Sequence, residues 1–563
     1  MKRLLIMMTL CLAMMLALVS CGGCDSCGGG DSTTLPGTNP PEPTPVDGFI
    51  ALTDNGKSLF RIVIPVEWRT GMVKDTATVF KNRIYEATGA PAVLAYDNSA
   101  IGKREILIGQ TTREESVEAC SKLAPRDWSI KVTENRIIVA GGSMYSTCLA
   151  LDELMRNLVL YEDNLYIDPA YEAEYIYERD NTEDVYGTLD EKLAQFGNPN
   201  GRLMVTSHRA ENVNNPENSL SAIAAAVALG ADILELDVTK TKDGHYVLMH
   251  DTTLTRTTNV ADFAGKNGYP TSHNVSDWTL EQIRTLTLNG SQFNETVPTL
   301  EEALMLVRGR AIFDFDKTTN AADRLAVYRI AVRLRAVDSV MYQGGDLSHD
   351  VMKTIYEETG IALPYLKGAG TVDQAISYLK NTYKEVEYAR QAIQLTTSLP
   401  TKAKMDQITG TCRVWMNTLG WATDPTGAAV QADNVNSWNT LWDLGVSVIQ
   451  TDQPYECLAQ SLSRENGSGV TWSLVYSHEP VYDHAKAYAL FKLARQGELY
   501  YTLDGSDPTP ESEKVTGKLS FDGDCLVKLL FVPADGSENI AFSFNVMLGS
   551  EEFYALYHTA GAP

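Results

Sequence analysis

The sequence predicts an α/β protein, a TIM (β/α)8 barrel carrying a small N-terminal α/β domain and a small C-terminal all-β sandwich. Three observations carry that prediction. Between residues 200 and 464, eight short apolar runs alternate with helical patterns, the order a (β/α)8 barrel requires. Residues 48–180 show a second, shorter alternation of strand and helix signals. From residue 465 the helical periodicity stops, and short alternating runs punctuated by Asp-Gly and Asp-Pro turns take over.

The chain has 563 residues, too many for one ordinary domain, and 44% hydrophobic residues, enough for several cores. With 47 basic and 72 acidic side chains the net charge is −25. Such a surface excludes nucleic acid as a partner, because phosphate backbones need basic grooves. It also excludes electrostatic adhesion to anionic lipid. An anionic substrate would have to be met by a local device such as a metal ion.

The first 20 residues read as an export signal, with Lys2 and Arg3 ahead of the apolar run Leu4 to Val19. Leu18-Val19-Ser20-Cys21 resembles a bacterial lipobox. The resemblance implies cleavage before Cys21, lipidation of its thiol and an extracytoplasmic protein anchored to a bacterial membrane. Cys21, Cys24 and Cys27 are spaced as in some iron–sulfur proteins, but Gly and Ser surround them and no His is near, so a tether is expected. Residues 21–47, rich in Gly, Ser, Thr and Pro, form the linker. Cys120, Cys148, Cys412, Cys457 and Cys525 are scattered and suggest no disulfide framework.

In the first globular domain, residues 60–66, 104–109, 128–132 and 136–142 read as strands, residues 76–89 as a helix capped by Gly89, and Tyr145 to Leu160 as a second helix. The pattern resembles accessory domains that precede catalytic barrels in several glycoside hydrolase families. Barrel strands are expected at Leu203–Ser207, Ile233–Val238, Ala311–Asp316, Ser339–Gln343, Ala362–Leu366, Ala392–Thr396, Arg413–Asn417 and Ser447–Thr451. Helices fall between them at Ser219–Leu229, Leu300–Val307, Ala321–Leu334 and Val435–Leu444, and a short strand is expected at Tyr246–Met249. Residues 256–299 are too long for one loop and read as an insertion over one end of the barrel. In the last domain, 465–563, the stretch "YYTLDGSDPT" at 500–509 resembles the C-terminal β-sandwich of chitobiases and β-hexosaminidases, which implies an accessory role and carbohydrate contact.

Reactive side chains of a barrel sit at the C-terminal ends of its strands. His208 follows the first expected strand, His250 the short one, and Asp316 ends the third. Glu235 and Asp237, two apart on the second, point the same way. They interrupt the apolar run "ADILELDV", where unpaired carboxylates are costly. Three converging carboxylates call for a cation between them, and oxygen ligands suit a hard divalent metal, Mg²⁺ or Ca²⁺. Two histidines beside such a site can share proton transfer near neutral pH, and Arg209 offers a planar cation to an anionic oxygen. The set describes phosphoryl transfer from a phosphodiester.

At these residues the sequence resembles the glycerophosphodiester phosphodiesterase family. "SHRAENVNNPENSLSAI", "GADILELDVTKTKDGHYVLMHDTTLTRTT", "VPTLEEAL" and "VWMNTL" with "LWDLGVSVIQTDQP" carry the resemblance over roughly residues 202–462. It implies Glu235, Asp237 and Asp316 as metal ligands, His208 and His250 as the acid/base pair, and Arg209 near the phosphate. It implies a small-molecule glycerophosphodiester substrate or a glycerol-phosphate polymer, hydrolysed to an alcohol and glycerol 3-phosphate. It also implies that a glycerol hydroxyl attacks phosphorus first. In the family the third acid is usually Glu with Lys two residues on, whereas this strand reads "FDFDK". Counting from Pro298 selects Asp316, with Asp314 as the alternative, and a regular strand turns Lys317 to the opposite face. Lys367 is expected as a second cation for phosphate and Trp415 as a wall of the pocket. Glu217 and Asn218 serve either the site or the start of the following helix. Asn417 is equally divided between the pocket and packing. Two other readings remain: a surface lipoprotein that binds a ligand without turnover, and a glycosidase, which leaves the histidines unexplained.

Overall fold

The computed structural model describes residues 46–179, 186–291, 294–318, 320–343, 348–381, 389–396, 401–419, 432–477 and 486–546. The export signal, Cys21, Cys24, Cys27 and most of the linker lie outside the described residues. The chain divides into Met1–Gly48 and Phe49–Pro563, and every element below belongs to the second unit. Among the described residues no helix is long and apolar enough to cross a membrane.

The central sheet closes into a barrel. Its parallel strands are β1 (Met204–His208), β2 (Ile233–Lys240), β3 (Ile312–Asp316), β4 (Val340–Gln343), β5 (Leu363–Ala369), β6 (Ala389–Leu395), β7 (Arg413–Asn417) and β8 (Val448–Thr451). Each pairs with the next, and β1 pairs with both β2 and β8, which closes the ring. The short strand Tyr246–Leu248 runs antiparallel to the end of β2. Observed bounds agree with the expected ones to within about three residues. The expected helices at 300–307 and 435–444 match residue for residue.

Alternation along the strands builds the interior in layers. The lowest is apolar, with Met204, Ile233, Ile312, Met341, Leu366, Ala392, Trp415 and Val448 each contributed by a different strand. A helix at Leu189–Phe196 plugs that end with Leu189, Leu193 and Phe196. Two residues further along, the layer turns polar, with Thr206, Glu235, Asp314, Gln394 and Gln450 all buried. A packed floor beneath polar rungs fixes the site at the opposite, C-terminal end.

The insertion has a core of its own. Leu254, Val260, Val275, Trp278, Ile283 and Leu286 are fully buried against Val247 of the hairpin strand. A residue-poor loop could not exclude water in this way, so the segment stands as a rigid wall beside β2.

The N-terminal region holds a six-stranded sheet in the order Glu172–Tyr175, Trp128–Val132, Arg136–Gly141, Glu105–Ile108, Arg61–Ile64, Val93–Tyr96. Gly89 caps its first helix at φ 69. The helix expected at Tyr145 to Leu160 spans Met144–Arg156, and a further helix at Glu114–Ser121 precedes it. Val159–Tyr161 instead pairs with Asn164–Ile167 through a two-residue turn at Glu162 and Asp163, both at positive φ. Such a turn matches strand twist, and Val, Leu and Tyr before it favour the extended form. Asp338, ahead of β4, ties this region to the barrel. It pairs with Arg126 and accepts from Tyr177 Oη at 2.7 Å.

At the C-terminus, a three-stranded sheet (Val470–Ser477, Lys486–Leu493, Lys518–Phe521) and a four-stranded sheet (Glu513–Lys514, Gly497–Thr502, Cys525–Pro533, Ile540–Val546) share one core. Trp472 stacks on Phe544 with ring centres 4.7 Å apart. The same core runs on into Trp438 and Leu458 of the barrel helices. The cysteines Cys120, Cys148, Cys412, Cys457 and Cys525 are free thiols.

Candidate active site

Parallel register sets the carboxylates side by side. Glu235 stands opposite Asp314, and Asp237 opposite Asp316, on the paired strands β2 and β3. Glu235, Asp237 and Asp316 each bring one carboxylate oxygen within 4.8 Å of the others. Glu235 and Asp237 are buried, while Asp316 is partly exposed at the barrel mouth. Burial, then the charges of Asp237, Asp316 and Asp314, push the Glu235 carboxyl well above its ordinary range. Asp237 is raised chiefly by burial, against the hydrogen bond from Asn218. Asp237 Oδ1 is buried with no hydrogen-bond partner among the described residues. Two buried acids of raised proton affinity, a third carboxylate beside them and an unpartnered oxygen fit a hard divalent cation, since oxygen donors are what Mg²⁺ and Ca²⁺ take.

Asp314 lies one layer deeper than Asp316, level with Glu235. Its side chain is fully buried, both oxygens lack hydrogen-bond partners among the described residues, and burial followed by Asp316 and Asp237 raises its carboxyl well above the usual range. The geometry therefore gathers Asp316, not Asp314, with Glu235 and Asp237.

The turn after β1 is tightly built. Arg209, Ala210 and Asn218 all adopt positive φ. The Arg209 backbone N–H donates to Glu235 at 3.1 Å, and Asn218 donates its amide to Asp237 at 2.8 Å while accepting the Asp237 N–H at 3.0 Å. Asn218 thus belongs to the site. Ser219 caps the following helix, and Glu217 instead pairs with Arg209 at 3.1 Å and with both terminal nitrogens of Arg256. Arg209 Nε lies 3.7 Å from Asp237.

Each histidine is held by a carboxylate at Nδ1. His208 is 2.7 Å from Asp452 Oδ1, and His250 is 2.7 Å from Asp251 Oδ1. The carboxylates fix the tautomer with the proton on Nδ1, which leaves Nε2 to face the site. His208 Nε2 lies 3.9 Å from Glu235. Asn212 donates both to Asp452 and to the His208 carbonyl, which locks the pair. Asp251 is gripped by Arg256 through Nε at 2.7 Å. Arg256, then the His250 hydrogen bond, hold Asp251 far below its ordinary range in spite of burial. Asp452, Asn212, Asp251 and Arg256 carry no metal-site or nucleophile signature of their own. The signals that could have found two of them are the "HD" and "TDQP" stretches, which place Asp251 and Asp452 next to strand-end positions.

Two expected residues are not part of the constellation. Lys367 falls between Leu366 and Gly368, whose positions face the interior, and its ammonium lies over the Tyr378 ring at 5.4 Å in the helical layer. Alternation thus sends it outward. Trp415 is fully buried in the apolar floor, where its indole N–H donates to Asn417 at 2.9 Å and to Gln450 at 3.3 Å. It walls no pocket. Asn417 joins a packing network, accepting also from Gln394 at 3.0 Å. Lys317 departs from expectation the other way. Its φ of 64 breaks strand alternation immediately after β3, and it lines a cavity of about 280 Å³ together with Asp316.

Residues 208–346 match the Glycerophosphoryl diester phosphodiesterase family. A glycerophosphodiester phosphodiesterase of Caldanaerobacter subterraneus is 42% identical over 110 residues, which cover 19% of this chain and 41% of that protein. Glycerophosphodiester phosphodiesterase 1 of Bos taurus is 40% identical over 119 residues, 20% of this chain and 33% of its own length. The chain thus spans less than half the length of these curated relatives. A glycerophosphoryl diester phosphodiesterase structure from Parabacteroides distasonis aligns with 51% of this chain and 94% of its own at 21% identity, with a TM-score of 0.38. The stretch matched by that family model carries both histidines and the carboxylates Glu235, Asp237 and Asp316.

Proposed function

We propose that the protein is a divalent-metal-dependent glycerophosphodiester phosphodiesterase that releases glycerol 3-phosphate and an alcohol. The observation that carries this reading is the joint placement of three carboxylates and two carboxylate-held histidines at one end of one barrel. Glu235, Asp237 and Asp316 would hold the cation. When bound, a divalent cation stabilises charge on phosphoryl oxygens and lowers the pKa of a coordinated hydroxyl or water.

The remaining steps fall to the chain itself. Arg209, restrained by Glu217, presents its guanidinium toward a non-bridging phosphate oxygen. One histidine accepts the proton of the attacking hydroxyl at Nε2, and the other donates a proton to the departing oxygen. Asp452 and Asp251 hold each ring's orientation through its Nδ1. In a substrate with a free hydroxyl next to the ester, that hydroxyl is the first nucleophile, and water then opens the cyclic phosphate with the two histidines exchanging roles. On the same reading the mature protein works outside the cytoplasm, tethered through a lipidated Cys21, with the flanking modules as its contacts to carbohydrate.

The test uses the mature chain with glycerophosphocholine and glycerophosphoglycerol, with Mg²⁺, Ca²⁺ or chelator, alongside His208→Ala. Metal-dependent glycerol 3-phosphate release that disappears in the variant supports the proposal. Release that the variant retains removes His208 from the chemistry.

A further inference from the structure

We infer that Asp433 is a positioning residue for the proposed reaction, fixing the backbone from which Asp452 reaches His208. The inference rests on the phosphodiesterase reading and extends it one link beyond the histidine's own partner. Asp433 stands 19 residues before Asp452, and its Oδ2 accepts the Asp452 backbone N–H at 2.7 Å. Its Oδ1 accepts from Thr451 Oγ1 at 2.6 Å, from Thr418 Oγ1 at 2.5 Å and from Trp438 Nε1 at 3.1 Å. Thr451 ends β8, Thr418 follows β7, and Trp438 lies on the helix Val435–Leu444. One carboxyl group thus joins two strand ends and a helix to the residue that holds the histidine.

Asp452 needs such an anchor. It sits in the turn between β8 and the helix Pro454–Asn466, and its side chain is 41% exposed, so packing does little to hold it. A single oxygen, Oδ1, serves both His208 Nδ1 at 2.7 Å and Asn212 at 2.8 Å. Contacts that pass through one atom tolerate little displacement, and a misplacement of about 1 Å can cost about 10²-fold in rate. The groups that bind Asp433 come from rigid surroundings. Thr418 and Thr451 are fully buried, and Trp438 is nearly so. Burial raises the Asp433 carboxyl above its ordinary range against the pull of these four bonds.

Two simpler roles do not account for these contacts. An acid just ahead of a helix commonly serves the free N–H groups and the dipole of that helix. Here Asn434 has that duty, its side chain accepting from the N–H groups of Asn436 and Ser437. An acid that only sews β7 to β8 would add little, because Thr418 already donates its N–H at 2.8 Å and its hydroxyl at 3.0 Å to the Gln450 carbonyl. The division within the carboxyl group is the informative feature. Oδ1 gathers the scaffold, while Oδ2 serves the Asp452 amide alone among the described residues. An amide at position 433 keeps the shape but turns one oxygen into a donor, which then faces a donor.

The test measures kcat and KM with Mg²⁺ for glycerophosphocholine or glycerophosphoglycerol, whichever the wild type turns over faster. It compares the wild type, Asp433→Asn, Asp452→Asn and the double variant, each checked for an intact thermal transition. Asp433→Asn should lower kcat about tenfold with KM little changed. The double variant should match Asp452→Asn within about twofold, because a residue that acts through Asp452 then has nothing left to act on. Losses that multiply, or an unaltered kcat in Asp433→Asn, overturn the inference and leave the phosphodiesterase reading standing. Should Asp433→Asn lose its transition, Thr418→Val takes its place, since it removes one of the four donors and keeps the shape. Its loss of about threefold must vanish in the Asp452→Asn background. A loss that persists there, or none at all, overturns the inference. If the wild type turns over no diester, ¹⁵N imidazole shifts of the metal-free protein in alkaline buffer decide, with His208 assigned by its absence in His208→Ala. A smaller share of the Nδ1–H tautomer in Asp433→Asn sustains the inference, and an unchanged share overturns it.

Discussion

His208 and Asp452 meet through a 2.7 Å contact at Nδ1, although 244 residues separate them in the chain. Closure of the barrel makes the pair, because β1 carries the histidine and β8, directly beside it, delivers the acid. Asp452→Asn should therefore lower kcat by about 10²-fold or more with little change in KM, since the ring loses the partner that fixes its tautomer and orientation. Steady-state kinetics checks this. An unaltered kcat would show that Asp452 serves only the Asn212 turn.

Arg256 binds the acid that holds His250 and the acid that holds Arg209 at once. Arg256→Met should reduce kcat about tenfold or more by releasing both. Arg256→Lys should recover only part, because an ammonium cannot span two carboxylates as a planar fork does. Full recovery by lysine would reduce the role of Arg256 to its charge.

Asp314 is a fully buried acid with two unpartnered oxygens. Asp314→Asn removes an acid whose ionised form is opposed by burial and by Asp316 and Asp237, while keeping the shape. In chelator the variant should be more stable by about 1 kcal/mol or more, read as a rise in melting temperature. Its affinity for a divalent cation should fall, because one attractive charge is gone. A lower melting temperature would mean that Asp314 is a structural hydrogen-bonding group.

Glu105 is the anchor of the N-terminal sheet. Burial favours its neutral form, but hydrogen bonds from Arg113 and Arg61 win and hold its carboxyl at about 2, against an ordinary 4.5. A depressed folded-state value contributes stability that is complete above pH 4.5 and is lost as pH falls from 4.5 toward 2. Glu105→Gln should cost about 3 kcal/mol at neutral pH by leaving Arg113 buried and unpaired. It should also flatten the acid limb of the stability curve in that window. Parallel curves for the two proteins would exclude the pair as its source.

The barrel strands are legible in the sequence because each is a short apolar run whose alternate residues fill a layer, from Met204 to Val448. The carboxylates are legible because Glu235 and Asp237 break such a run. Lys367 and Lys317 show where that logic stops. Lys367 obeys alternation and so points away from the mouth, toward Tyr378. Lys317 escapes alternation through one left-handed residue at the strand end, a backbone event that side-chain periodicity does not encode. Trp415 reads as a pocket wall from its strand position alone, yet its layer is set by which residue of β7 reaches the floor. Asn212 and Arg256 become visible only when distant strands and the insertion close around the histidines.

The most direct test of the account is glycerol 3-phosphate release by the mature chain, measured with Mg²⁺ or Ca²⁺ and with chelator, in the wild type and in Asp237→Asn. The account predicts turnover that chelation abolishes and the divalent ion restores, and a variant that is folded, binds the cation weakly and is slowed by about 10²-fold or more. Undiminished release in chelator, or an Asp237→Asn variant with wild-type turnover, would contradict it.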